Sequence, residues 1–245
     1  MNLREFSDQF DVLVSSYRRF KSFDHQEMLD SIEFDEYEKS VFLTKAQEEL
    51  VLSLYNGKNP LFQGFEETEE LRRYLSNLVE EAVLSPINSS NGNPVGMGSN
   101  SKFFTLPENL WFITYESVFL SDGQCEGHTT QDVYPATQDE YHRIKRNPFR
   151  GPNYHRALRL DLSEGNIEII SKYPVSSYYV RYIRKIKPII LDVLPDGLTI
   201  EGLSVATPSE LHESLHQRLL DMAVQTAIQS KVGNNEKNNN ENNSR

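Results

Sequence analysis

Residues 157–184 read ALRLDLSEGNIEIISKYPVSSYYVRYIR, and this stretch decides the fold class. Apolar residues alternate with polar ones over 157–162 and recur over 167–172, on either side of a short polar segment with a glycine at 163–166. That combination is typical of a β-hairpin. A run rich in tyrosine and valine at 177–184 predicts a further strand. We therefore expect a mostly antiparallel β region here.

On both sides of this region, the spacing of apolar residues changes to the spacing typical of helices. Apolar residues recur at three- and four-residue spacing over 2–20, 35–55, 68–83 and 209–232, which predicts four amphipathic helices. Thr44 and Gln47 have the spacing of a capping box, which would restart the second helix at Lys45. The fold class predicted is α+β. The expected parts are a helical region over 1–85, a flexible loop over 86–101, a β-rich region over 102–205, a C-terminal amphipathic helix over 206–232 and a disordered tail over 233–245.

Charge is divided unevenly along the chain, whose net charge is −11. Residues 141–187 contain eleven Lys or Arg against three acidic residues, a local charge of +8. Residues 1–81 contain eighteen acidic residues against nine basic ones, a local charge of −9. Such a division favours docking on further copies of the chain or on a partner of opposite sign. The overall negative charge argues against general nucleic-acid binding, although it leaves a local basic face open.

The basic segment 141–187 admits three interpretations. Its aromatic and basic side chains are typical of protein interfaces, and we rank that interpretation above a solvated basic face. Binding of single-stranded nucleic acid by stacking and charge ranks third, because the whole chain is acidic. The segment 147–153 reads NPFRGPN, and its two prolines predict a rigid turn. The residues expected to form the interface are Arg143, Arg146, Phe149, Arg150, Tyr154 and Arg156.

Composition and motifs exclude several other classes. Cys125 is the only cysteine, so neither an intramolecular disulfide nor a cysteine-based zinc site is expected. The N-terminus lacks the pattern of a signal peptide, and no apolar stretch approaches the ~18 residues that span a bilayer. Phosphate-binding glycine motifs are also missing. We expect no cofactor, no small-molecule substrate and no membrane partner.

Residues 212–216, HESLH, match the HExxH signature of zinc hydrolases. On a helix, this spacing would set two imidazoles one turn apart, with Glu213 activating a zinc-bound water. A third ligand would have to come from downstream, where only one helix and an asparagine-rich tail follow. We therefore interpret the match as coincidental, and expect replacement of His212 and His216 by alanine to leave stability nearly unchanged.

Short stretches spread over 35–228 carry a family resemblance. They are YEKS (37–40), FLT (42–44), AQEEL (46–50), YPAT (134–137), DEY (139–141), NPFRGP (147–152), RALRL (156–160), VRYIRK (180–185), KPIIL (187–191), ELH (210–212) and LH (215–216). Together they resemble virion structural proteins of tailed bacteriophages, particularly the crAss-like phages that infect Bacteroides. One departure is Lys185-Ile186-Lys187-Pro188, where such relatives would have Lys-Pro-Lys-Pro.

The resemblance implies a ring or adaptor component of the head–tail connector below the portal, with no catalytic residues. We therefore expect a non-enzymatic virion protein that forms a homo-oligomeric ring and binds neighbouring portal or tail proteins, with at most incidental DNA contact. Its expected location is the head–tail junction of the virion, after synthesis in the cytoplasm of the bacterial host. The alternatives are a nucleic-acid-binding accessory protein that uses 141–187 and a zinc hydrolase that uses HExxH.

Overall fold

Helices predominate at the two ends of the chain and strands in its middle, which confirms the α+β prediction. The structure is a computed structural model that describes residues 1–21, 33–58, 68–87, 101–121, 129–195 and 197–242, with backbone alone at 18–21 and 232–242. In chain order the elements are α1 (Leu3–Lys21), α2 (Glu36–Tyr55), α3 (Glu69–Tyr74), β1 (Val79–Leu84), β2 (Lys102–Thr105), β3 (Leu110–Leu120), β4 (Thr130–Ala136), α4 (Gln138–Ile144), β5 (Arg156–Asp161), β6 (Asn166–Ile170), β7 (Val175–Arg184) and α5 (His216–Asn242). They form two compact units, a helical unit (1–78 and 186–245) and a sheet unit (79–185).

Helix α2 is the central helix of the helical unit. Asp35 caps it, because its carboxylate accepts from the backbone N–H of Glu38 at 2.6 Å and the Glu38 side chain accepts from Asp35 in return. The predicted restart at Lys45 is wrong, since α2 runs without a break. Thr44 and Gln47 instead donate side-chain hydrogen bonds to backbone carbonyls of the extended segment 187–189.

The third predicted helix is only partly present. Thr68 caps α3 as a helix start, but α3 ends at Tyr74 and a short 3₁₀ turn follows at Ser76–Leu78. Residues 79–84, which the sequence placed in the helix, form strand β1 and pair antiparallel with β7. Local helical spacing was overridden here because pairing with a neighbouring strand satisfies the backbone and suits β-branched valines.

The sheet unit is built on the predicted hairpin, which is confirmed. Strands β5 and β6 pair antiparallel, and the turn between them has positive φ at Glu164 and Gly165, the signature of a type I′ turn. The full strand order is β1-β7-β3-β4-β5-β6-β2. A single bridge joins Ile87, which follows β1, to Phe103 in β2. The sheet therefore curls until its two ends meet at one corner.

Strand β4 was not predicted from the sequence. It pairs antiparallel with β3 and parallel with β5, and α4 connects the two parallel strands. Pro135 cannot donate a backbone hydrogen bond, and it lies beyond the residues of β4 that pair with β3. The inner face of the curled sheet holds the main core. Its buried members are Phe104, Val118, Val133, Ala157, Ile167, Ile169, Val175, Tyr178, Val180 and Tyr182.

The last helix starts later than predicted. Residues 208–212 are extended, Glu213–Leu215 form a 3₁₀ turn capped by His212, and α5 begins at His216. The helix continues through Gly233 to Asn242, because a glycine or asparagine costs a helix only about 1 kcal/mol or less. Residues 243–245 lie outside the described residues, and disorder of the tail stays a prediction. No helix in the described ranges has the length and apolar character needed to cross a membrane.

Candidate assembly site

Helix α4 positions the basic segment on the sheet unit. Thr137 caps the helix by accepting from the backbone N–H of Glu140, as its spacing predicts. Tyr141 and Ile144 are buried in a small core on the outer face of β5 and β6. Because these two residues face inward, His142 and Arg143 lie on the exposed side of the helix. Burial also raises the pKa of the Tyr141 hydroxyl.

The turn that follows α4, residues 147–153, is held by its own polar side chains. The Oδ1 atom of Asn147 accepts from the backbone N–H groups of Phe149 at 2.9 Å and Arg150 at 3.2 Å. Its backbone carbonyl accepts from the N–H of Gly151 at 2.8 Å. The amide of Asn153 donates to the carbonyl of Pro148 at 3.2 Å. We call residues 147–153 the basic turn, and these bonds give it one defined conformation.

Gly151 is required in the basic turn for steric reasons. A Cβ atom at this position would lie 2.5 Å from the carbonyl oxygen of Ile144 and 2.8 Å from that of Asn147. Both distances are far shorter than a carbon–oxygen contact allows. Because the obstructing atoms belong to the backbone, they cannot swing aside as a flexible side chain would.

Arg156 braces the turn from the neighbouring strand β5. Its Nη1 atom donates to the carbonyl of Phe149 at 3.0 Å, and its guanidinium lies 4.3 Å from the centre of the Tyr134 ring. A cation over an aromatic face is attracted by the ring's electrons. Arg156, predicted as an interface residue, therefore has an internal contact that supports the turn.

The other predicted interface residues differ in how far they are exposed and in whether they have contacts within the chain. Phe149 is 84% exposed at the tip of the turn. Arg143 and Arg146 are exposed, and no ion pair links either to a carboxylate in the part of the chain that the structure describes. Arg150 forms an ion pair with Glu140 at 2.9 Å. Tyr154 is half-buried, with its ring packed edge-on against Tyr173 at 5.2 Å.

Gln131 is a further support of this region that sequence reasoning missed. Its Nε2 atom donates to the carbonyls of Asn153 at 2.9 Å and Tyr154 at 3.1 Å, and its Oε1 accepts from the hydroxyl of Ser171 at 2.6 Å. The side chain is fully buried. A single glutamine in an unpredicted strand carries no local signal of this role.

Part of the positive charge of the basic segment is neutralised inside the sheet unit. Arg159 is buried, and it pairs with Glu116 at 2.7 Å and Asp161 at 2.9 Å. The hydroxyl of Tyr178 donates to the same Glu116 carboxylate at 2.7 Å. Burial raises the pKa of Glu116, although Arg159 opposes that shift, and burial also raises the pKa of Tyr178. The formal charge of +8 therefore overstates the charge available to a partner.

The outer face of β1, β7, β3 and β4 exposes aromatic and apolar side chains, which the sequence did not predict. The strand register places Val83 beside Tyr179, and the Tyr179 ring lies 6.1 Å from that of Tyr115. Tyr115 also donates its hydroxyl to Asp132 on β4 at 3.1 Å. We call this surface the aromatic face; its members are Val83, Tyr115, Phe119, Tyr134 and Tyr179.

The HExxH residues have structural contacts in the helical unit. Nε2 of His216 donates to the carbonyl of Leu211 at 3.1 Å, and its Nδ1 lies 3.0 Å from the amino group of Met1. His212 precedes the helix and caps the 3₁₀ turn through Ser214. Both ring nitrogens of His216 are therefore engaged. Within the described residues, no three His, Cys, Asp or Glu side chains are arranged to hold a metal ion.

Comparison with known proteins gives the family. The model of the family described as "Phage tail ring protein 3/4" matches residues 1–240. The chain is 45% identical over 215 residues to "Ring protein 3" of Bacteroides phage crAss001, an alignment that covers 86% of this chain and 88% of the relative. It is 30% identical over 224 residues to "Ring protein 4/5" of the same phage, with 86% of each covered. The chain therefore belongs to the phage tail ring protein 3/4 family, and it is a crAss-like phage ring protein.

Proposed function

We propose that this protein assembles into a homo-oligomeric ring in the head–tail connector of the virion, as a non-enzymatic adaptor below the portal. Membership of a ring protein family supports this role. The polarised charge supports it as well, because contacts between two different surfaces of identical subunits close into a ring when the rotation allows it. The protein would be made in the cytoplasm of the bacterial host and then incorporated at the head–tail junction.

The observation that carries the proposal is the basic turn. It exposes a large aromatic side chain, Phe149, on a backbone fixed by Asn147, Gly151 and Arg156. Aromatic and arginine side chains dominate the binding energy of protein interfaces. A turn that is already ordered loses little conformational entropy when a partner binds. These properties favour a docking element over a solvated surface.

The partner surface would be acidic. Arg143 and Arg146 retain their charge for a partner, and the N-terminal part of the chain has the opposite sign. A neighbouring subunit, or a portal or tail protein with a similar acidic surface, would meet this requirement. Opposite charges at the rim of an interface set its orientation and speed its formation.

Reversal of the positive charge on the basic turn and on the residues just before it tests the proposal. Replacing Arg143, Arg146 and Arg150 by glutamate should prevent incorporation into phage particles while the protein still folds, as checked by circular dichroism. The matched control replaces Arg4, Lys45 and Arg73, three exposed cations of the helical unit, by glutamate, which changes the net charge equally. If the folded triple variant enters particles as efficiently as wild type, the basic turn is not the docking element.

Nucleic-acid binding remains the second candidate, because Arg143 and Arg146 lie near an exposed phenylalanine. Such a combination can hold single-stranded DNA by charge and stacking. The same triple variant separates the two functions. Salt-dependent DNA binding by wild type that is lost in the variant, together with normal incorporation into particles, would favour the second candidate.

A further inference from the structure

Residues 190–195 and 197–207 form an irregular arm in the helical unit. Ile190 and Thr207 exchange two backbone hydrogen bonds of 3.0 and 2.9 Å, and Leu194 donates to Ser204 at 2.9 Å. The arm reverses direction at Glu201 and Gly202, both of which have positive φ. Ile190, Leu194 and Ile200 are buried with Tyr37 in a small core. The arm is therefore an ordered feature, held by isolated bridges and not by regular strands.

The outward side of the arm is both apolar and acidic. Val193 and Val205 are 66% and 64% exposed, and Leu198 and Leu203 are also exposed. Asp192 and Glu201 are exposed carboxylates of the arm, and its described residues include no Lys or Arg. Burial and a hydrogen bond from the neighbouring carboxyl of Glu201 raise the pKa of Glu48 on α2. An exposed apolar surface that also carries carboxylates is suited to a partner that is apolar and basic.

The aromatic face provides the apolar part of such a surface, and the neighbouring basic turn provides the positive charge. Val83 is 64% exposed at one side of it, and Phe119 and Tyr115 are exposed on β3. Arg181 and Arg156 lie on the same outer face, at its centre and at its edge. Arg156 also connects the face to the basic turn, since it contacts both Tyr134 and the carbonyl of Phe149. The aromatic face and the basic turn are thus connected. Arg181 pairs with Glu81 on the face at 3.9 Å, so the positive charge open to a partner lies beside the turn, at the exposed Arg143 and Arg146.

We propose that the arm of one copy of this chain docks on the aromatic face of the next copy. This inference rests on the proposed ring, in which each subunit must present two different, complementary surfaces. The apolar side chains of the arm would cover the tyrosines and Phe119 of the face. Its carboxylates would meet the arginines at the edge of the face and the basic turn, which sets the polarity of the contact.

Two variants that each remove one side of the contact test the inference. The arm variant carries Val193→Lys and Val205→Lys, and the face variant carries Val83→Glu and Phe119→Glu. The dissociation constant for self-association of each variant should be about a hundredfold higher than that of wild type, because two central apolar contacts are lost. Mixed in equal amounts, they should form a complex of only two copies, because one intact arm and one intact face remain. Sedimentation velocity measures all three samples.

Controls keep the outcome interpretable. Val12→Lys changes a valine of α1 with the same 66% exposure as Val193, and it should associate like wild type. If the face variant fails to fold by circular dichroism, Val83→Ser with Phe119→Ser replaces it. The inference is overturned if wild type is monomeric at every concentration, if the mixture contains only monomers, or if Val12→Lys is equally weakened. Each of these results leaves the proposed ring to be judged separately by incorporation into particles.

Discussion

At Gly151 the backbone leaves no room for a side chain, and the basic turn depends on that absence. Three side chains around it form hydrogen bonds to the backbone of the turn itself: those of Asn147, Asn153 and Arg156. The six residues predicted as an interface therefore divide by role. Arg143, Arg146 and Phe149 face solvent, whereas Arg156 supports the conformation in which Phe149 is presented.

Gly151→Ala should lower the free energy of unfolding by about 1–3 kcal/mol, because the added methyl group must displace two backbone carbonyls. Urea denaturation followed by circular dichroism measures the change. Arg146→Ala, in the same segment but exposed, should alter stability by no more than about 0.5 kcal/mol. Identical curves for Gly151→Ala and wild type would show that the turn can shift without cost.

At the scale of the elements, the histidines of the HExxH match have a structural role at the start of α5. The His216 ring packs against Phe6 of α1, with ring centres 5.2 Å apart, and it is buried. Burial, followed by the positive amino group of Met1, lowers the pKa of His216. The neutral ring suits both contacts, because Nε2 can donate to Leu211 while Nδ1 accepts from Met1.

The stability of the protein should therefore fall as the pH drops below about 6.5, the pKa of an unperturbed histidine. The unfolded state takes up the proton first, since the pKa of His216 is lower in the folded state. Urea unfolding at several pH values should show a steeper loss for wild type than for His216→Gln. Parallel pH profiles for the two proteins would contradict this assignment.

The same burial changes an expectation drawn from the sequence. Alanine at both His212 and His216 was expected to leave stability nearly unchanged. The structure instead leads us to expect a loss, because the substitution removes a buried ring and leaves the carbonyl of Leu211 without its donor.

At the scale of the whole molecule, internal ion pairs modify the charge distribution that the sequence displays. Arg159 pairs with Glu116, Arg184 with Glu80 at 3.1 Å, and Lys39 with Asp11 at 2.7 Å. What remains for partners is a smaller basic surface around α4 and the basic turn, and an arm that carries acids alone. Assembly of identical subunits through such surfaces should respond to ionic strength.

Self-association of the wild-type protein should weaken as salt is added, because exposed charges are screened beyond about 8 Å at physiological ionic strength. Sedimentation velocity over a salt series measures the dissociation constant. The variant with glutamate at Arg143, Arg146 and Arg150 should show a flatter dependence. Association that is unchanged or strengthened by salt would indicate that apolar contacts alone hold the copies together.

The sequence by itself determined the features that short-range patterns encode. Alternation and a glycine turn predicted the β5–β6 hairpin, and helical spacing predicted α1 and α2. Short stretches spread over 35–228 were also enough to indicate the family, which the comparisons confirm. These features can be predicted from the sequence because each depends on residues that are close together along the chain.

Only the tertiary structure decided which side chains are exposed together on one surface. Residues 79–84 became a strand because β7 pairs with them, and β4 exists because β3 and β5 flank it. The aromatic face and the arm each gather residues whose exposure depends on strand register and on contacts distant in sequence. A side chain in a strand lies on one face or the other according to that pairing, which no local pattern specifies.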